Sequence, residues 1–296
     1  PLPIQARILL VLATLASNNP DEAFSEAAKF ADDFPDLAIA RTLKGVVALQ
    51  QQRPGEAEQF LKQALTLNEG DPLASSYLSR LYLASNQLDK AKQVYRASIK
   101  RFQFHPLPLA GLAAIAMLEK DSQTAYTLLE RWVKYHPRSL SARLMLAQFY
   151  LKQKNAKLAL KELQRPPSLD EDNPAYLKML GETYYQLNAP SSASSAFGRL
   201  VAMNPDSIEG YLWLARIARR MKQPRRVKDY LFAVLENDPE NEQAKRLLIQ
   251  SFIEAGDPQE ADGVLNELIK KKPGDASVHL MVADVANELG QQERMM

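Results

Sequence analysis

The chain has 296 residues, 46% hydrophobic and 24% charged, with 37 Lys plus Arg against 35 Asp plus Glu. The net charge of +2 argues against a general nucleic-acid binder, which needs a strong basic excess. With no cysteine, disulfides, thiolate metal sites and a cysteine nucleophile are excluded.

Taken in order, the chain keeps a register of 34 residues, marked by Pro1, Pro35, Glu69, Gln103, Pro137, Glu171, Pro205, Pro239 and Pro273. The first repeat carries Ile8-Leu9-Leu10-Val11-Leu12, apolar but without a basic start or cleavage site, so it is not a signal peptide. No apolar run approaches the ~20 residues that span a bilayer. Asn19-Pro20 and Asp257-Pro258 each pair an N-cap residue with proline at the first helical position. Pro72, Pro106 and Pro174 each fall three residues after a register position that lacks proline, so the loops there are shifted while the period is kept.

Within the register, position 23 reads Ala23, Ala57, Ala91, Ala125, Ala159, Ala193, Val227 and Ala261. A small residue there lets two helices approach closely. The bulk of the second helix comes from Leu61, Tyr95, Leu129, Leu163, Phe197, Leu231 and Leu265. In the first helix a mostly leucine column (Leu78, Leu112, Leu146, Leu180, Leu214, Leu248) is followed by a mostly small one (Gly45, Ser79, Ala113, Ala147, Gly181, Ala215). Arg165-Pro166-Pro167 interrupts one second helix, because proline inside a helix costs about 3 kcal/mol or more. That helix is expected to stop near Gln164, with a flexible junction over residues 165–173. The clearest repeat runs from Pro205 to Pro239. Tyr211, Leu214, Ala215 and Ala218 make one apolar helical face, and Val227, Leu231, Val234 and Leu235 make the other.

These columns resemble the tetratricopeptide repeat family, as in Leu180-Gly181, Tyr184, Asn188, Ala193, Phe197 and Pro205. Arg143 and Lys245 depart from the family pattern at its helix-A tryptophan column. The resemblance covers the full chain. It implies an all-α fold, a right-handed superhelical solenoid of antiparallel helix pairs: one array over residues 1–296, with eight pairs and a final helix near residues 276–289. That helix carries Val278, Leu280, Met281, Val282 and Val285, where the end of a solenoid needs a polar cap. With a start at Pro1 rather than Met, this leads us to expect a fragment of a longer protein.

Chemistry is sparse. His105, His136 and His279 lie in separate repeats, and no HExxH, phosphate-loop or GxSxG motif occurs. We expect no catalytic residues, no metal and no cofactor: a binding surface rather than an enzyme. In tetratricopeptide repeat proteins one stripe of the first helices lines a concave groove. Here that stripe changes character along the chain. Its early part is apolar, including Leu12, Leu83, Leu107, Met117, Leu118 and Leu151. Its later part is polar and basic, including Lys178, Glu182, Tyr185, Arg216, Arg219, Arg220, Arg246 and Gln250, with Leu212 in the same stripe. Arg225 and Arg226 occupy the first turn of a helix, where the dipole disfavours cations. Candidate ligand-binding residues are therefore Arg80, Leu83, Met117, Lys178, Tyr185, Arg216, Arg219, Arg220, Arg226 and Arg246. The expected ligand is a protein or peptide partner in the groove, with an anionic polysaccharide held by the basic half as the alternative. A helical-repeat RNA binder would need basic residues at one column of every repeat, which are absent.

The repeats are also similar in texture to the tetratricopeptide repeat lipoproteins of bacterial exosortase-linked exopolysaccharide systems. That similarity implies a scaffold for polysaccharide assembly or export in the cell envelope or periplasm. Its only membrane attachment would be a lipid anchor on a cysteine upstream of Pro1; a cytosolic start would place the chain in the cytoplasm instead.

Overall fold

The computed structural model describes residues 2–17, 19–164, 172–256, 258–271, 273–274, 276, 279–280 and 282–283. Among them are sixteen α-helices and no strand. The chain divides into two compact units, Pro1–Phe149 and Tyr150–Met296.

The first unit pairs α1 (Ile4–Ala16) with α2 (Pro20–Asp33), α3 (Ala38–Gln50) with α4 (Pro54–Leu67), α5 (Pro72–Ala84) with α6 (Leu88–Arg101), and α7 (Pro106–Leu118) with α8 (Ser122–Tyr135). It ends inside α9 (Leu140–Lys152). The second unit continues with α10 (Ala156–Leu163). It then pairs α11 (Pro174–Gln186) with α12 (Pro190–Met203), α13 (Ile208–Arg220) with α14 (Pro224–Asn237), and α15 (Glu242–Ala255) with α16 (Pro258–Lys271). Odd-numbered helices are the A members and even-numbered ones the B members. α2, α4, α6, α10, α12 and α14 also pack on the A helix that follows each of them.

The small and bulky columns meet as the pattern requires. Every residue of the alanine column from Ala23 to Ala261 is buried. Gly181 lies so near Phe197 that a Cβ there would come within 2.5 Å of the ring. The turns repeat with the same period. Gln52, Asn86, Lys120, Lys154, Asn188 and Lys222 all have φ between 55° and 61°, and Gly256 has φ 76°. These seven positions stand 34 residues apart. At the first six, the next amide bonds back to the helix-A carbonyl five residues earlier, as Asp121 does to Ala116 (2.9 Å) and Gln223 to Ala218 (2.9 Å). That is the Schellman closure of a helix C-terminus by a left-handed residue. Entry into helix A is equally regular. Asp71, His105, Asn173, Ser207 and Asn241, at one register position, each accept a bond from a first-turn amide of the helix they open. Each such cap is worth about 0.5–2 kcal/mol.

The expected early stop is present: α10 has 8 residues where α12 and α14 have 14, and it is capped at Gln164. Tyr176 compensates. Its register position holds Ala6, Ala40, Ala74, Pro108, Ala142, Gly210 and Ala244 in the other repeats. Here the large ring is buried and its hydroxyl donates to the Leu163 carbonyl (3.4 Å) at the end of the shortened helix. Residues 165–171 of the expected junction, Asp257 of the second cap pair, and most of the expected helix near 276–289 lie outside the described residues.

Candidate functional site

In the second unit the A helices place a linked set of side chains on one face. On α11, Lys178, Glu182 and Tyr185 recur at i, i+4 and i+7, and on α13 Glu209, Trp213, Arg216 and Arg220 recur at i, i+4, i+7 and i+11. Such spacing puts each set on one side of its helix. Lys178 Nζ meets Glu209 Oε1 at 2.6 Å, and this partner raises the lysine's pKa. Burial pushes the Glu182 carboxyl up; the Lys178 charge opposes the shift and Glu209 adds to it.

Beyond this ion pair the surface is built from arginines on rings. Arg220 donates through Nη1 to the Tyr185 carbonyl (2.9 Å), and its guanidinium lies 4.8 Å from the Tyr185 ring centre. Tyr185 meets Trp213 edge to face at 5.5 Å, and the Arg216 guanidinium lies 5.0 Å from the Trp213 ring centre. Trp213 is stacked in turn on Phe197, at 5.2 Å and 9°. Cation–π contacts of this kind are worth about 0.5–1 kcal/mol when exposed, enough to bias where a long side chain points. Neither Arg216 nor Arg220 has an acidic partner among the described residues.

The other candidates are placed differently. Arg219 donates to Gln250 Oε1 (2.8 Å) and lies 4.0 Å from Glu254, both on α15. It also lines a cleft of about 520 Å³ with Lys222, Gln223, Pro224, Val227, Ser251, Glu254 and Ala255. Arg246 meets Glu242 on its own helix at 3.5 Å. Arg226, exposed on the first turn of α14, forms no bond or ring contact with the A-helix set. Arg80, Leu83 and Met117 belong to the first unit. Arg80 is exposed, 5.9 Å from the Tyr77 ring centre, and Leu83 and Met117 are half-buried. Within the apolar set, Leu12, Leu107 and Leu118 are exposed, whereas Leu151 is buried.

One expectation needs correction. Leu212, assigned to the groove stripe, is buried in a core cluster with Ala215, Ala244 and Leu248, because its position faces the following helix pair. Trp213, the platform beneath Arg216, was not among the candidates. Its register position holds Leu9, Leu43, Tyr77, Gly111, Met145 and Met179 elsewhere, so no periodic signal marks it. Among the described residues no group of three or more His, Asp or Glu could hold a metal ion, and no helix is long and apolar enough to cross a membrane.

The sequence matches tetratricopeptide repeat profiles over residues 8–72, 48–115, 116–183 and 218–285. The chain belongs to the tetratricopeptide repeat family. Solved tetratricopeptide repeat proteins share its fold at low sequence identity. A protein of this family from Parabacteroides merdae is similar with a TM-score of 0.63 at 12% identity, over 84% of this chain and 98% of its own. A chain of the APC/C hetero-tetramer Cut9–Hcn1 matches with a TM-score of 0.64 at 16% identity, over 81% of this chain. The present chain spans 48% of that chain's length. YrrB, described as a tetratricopeptide repeat protein with an unusual peptide-binding site, matches with a TM-score of 0.50 at 17% identity, over 63% of this chain and 96% of its own. No curated protein matches the sequence significantly.

Proposed function

We propose that the chain is a non-enzymatic scaffold whose α11–α13 face binds an acidic segment of a protein partner. The observation that carries this reading is Arg216, a guanidinium resting on the Trp213 ring with no acidic partner among the described residues. Arg220 beside it is oriented in the same way by Tyr185. An arginine already held in place loses less side-chain entropy on forming a bidentate pair with a carboxylate. The half-buried Tyr185 and Trp213 rings add apolar area beside the charges, as protein interfaces do. YrrB, of similar fold, gives a precedent for peptide binding on this scaffold.

The test is fluorescence anisotropy with two probes: a Glu/Asp-rich peptide containing tyrosine, and polygalacturonate. The peptide is expected to bind saturably, with an affinity that falls as salt rises. A preference for polygalacturonate would favour a polysaccharide-holding solenoid. The cell-envelope setting, with a lipid anchor and a part in exopolysaccharide assembly or export, rests on the texture of the repeats. Fractionation of cells expressing the full-length protein tests it, and recovery in the cytosol alone would refute it.

A further inference from the structure

The cleft beside Arg219 has no part in the α11–α13 face. It opens between the α13–α14 turn and the last turn of α15. At about 520 Å³ it falls within the ~300–1,000 Å³ typical of small-molecule sites. Three residues that break the repeat pattern meet there. The register position of Arg219 holds leucine, methionine, isoleucine or tyrosine in every other repeat. That of Glu254 holds no other acid, and Ala255 is the smallest residue at its own position.

Ala255 leaves the cleft open. At the equivalent position Gln51 donates to the Pro20 carbonyl (3.1 Å) and to Asp21 (2.9 Å) of the preceding B helix, and Glu119 meets Lys92 of α6 at 2.7 Å. Those long side chains bridge to the helix before them; a methyl group does not. Stability does not explain Arg219 and Glu254. They stand 4.0 Å apart with side chains 39% and 56% exposed, and such a pair contributes little. The walls of the cleft carry opposite chemistry. The α13–α14 side supplies the cations Arg219 and Lys222, the second exposed and without an ion pair among the described residues. The α15 side supplies acceptors. Glu254 is a carboxylate, and buried Ser251 donates its one hydroxyl proton to the Leu248 carbonyl (2.8 Å), so its oxygen is left to accept. Pro224, Val227 and Ala255 complete the lining with apolar surface.

We propose that this cleft binds a small zwitterion, an amino acid with an apolar side chain. Its carboxylate pairs with Arg219 and Lys222, its ammonium donates to Glu254 and Ser251, and its side chain rests on Pro224, Val227 and Ala255. Arg219 is already held by Gln250 Oε1 (2.8 Å), so it loses little freedom on pairing. A simple anion would meet the Glu254 carboxylate, and a simple cation would meet Arg219 and Lys222.

The test titrates the full chain with L-leucine, N-acetyl-L-leucine and L-leucinamide, followed through the amide chemical shifts of Gln223 and Ser251. Leucine should bind saturably at one site, and each blocked form at least tenfold more weakly, since each leaves a charged group of the cleft unpaired. Glu254→Gln should remove the preference for leucine over its N-acetyl form. Ala255→Gln, which brings in the long side chain that α3 carries at Gln51, should abolish leucine binding and leave acidic-peptide binding at α11–α13 intact. The proposal is overturned by an absence of saturable leucine shifts, by equal affinity for either blocked form, or by leucine binding that survives Ala255→Gln. Loss of acidic-peptide binding in the same variant would also overturn it, because the two sites would then not be separate.

Discussion

Lys120→Gly and Lys154→Gly should each stabilise the protein, although neither touches the core. Lys120 has φ 61° and Lys154 φ 57°. A residue with a Cβ pays about 1–2 kcal/mol in the left-handed region. Glycine removes that cost, but it enlarges the unfolded ensemble by about 0.4–1 kcal/mol. The net expectation is a gain of about 0.5–1 kcal/mol per site. Asn188→Gly should gain less, since asparagine tolerates this conformation (φ 59°). Gly256→Ala should lose about 1 kcal/mol, as alanine takes on the same steric cost at φ 76°. Repeat arrays are stabilised locally, so a single global unfolding energy can hide the effect. Native-state hydrogen exchange is the better assay, read at the amide that closes each turn. In Lys120→Gly that is the Asp121 amide, bonded to Ala116 O at 2.9 Å. A gain of 0.5–1 kcal/mol slows its exchange by roughly two- to fivefold. Unchanged or faster exchange in both lysine variants would refute the reasoning that these turns hold strain.

Gly181→Ala should destabilise by about 1–3 kcal/mol through overpacking against Phe197, measured as a lower urea midpoint at constant m-value. Glu182 has a carboxyl raised by burial, so its contribution is full below the unfolded value near 4.5 and is lost as pH rises through the raised folded value. Glu182→Gln should therefore melt higher than the parent at pH 7.5, with the difference closing as the pH is lowered toward 4.5. His105 caps α7 by accepting the Leu107 amide on Nδ1 (3.3 Å), which requires the neutral ring, and burial lowers its pKa while Asp71 opposes the shift. Its contribution is present above the unfolded value near 6.5 and is lost as pH falls through the folded value. Protection at the first turn of α7, taken against the intrinsic exchange rate at each pH, should fall in acid in the parent and stay constant in His105→Asn.

What could be read before the structure was whatever repeats, together with the one proline break at Pro166-Pro167. The alanine column, the Gly181–Phe197 approach and the shortened α10 each follow from packing or from proline, and packing recurs with the period. The left-handed turn column recurs too, but its residues are Gln, Asn, Lys and Gly in turn, so backbone strain hid behind unremarkable side chains. The candidate site was legible only in part. Lys178–Glu209 and Arg220–Tyr185 join residues 31 and 35 positions apart on different helices, and each occurs in one place. Trp213 is equally singular. Contacts made once leave no periodic trace, and a helix read by itself does not register Lys178 reaching Glu209 from α11 or Glu254 reaching Arg219 from α15.

The central claim is that the arginines held on rings between α11 and α13 carry ligand binding, rather than basic charge anywhere in this region. The direct measurement compares Arg216→Gln with Arg226→Gln, two substitutions of equal charge change, in titrations with the acidic peptide at two salt concentrations. Charge-assisted hydrogen bonds are worth about 1.5–3 kcal/mol. Arg216→Gln should therefore weaken binding at least tenfold and flatten its salt dependence, while Arg226→Gln should alter affinity less than twofold. Equal losses from both variants would mean diffuse electrostatics, and no loss from Arg216→Gln would contradict the account outright.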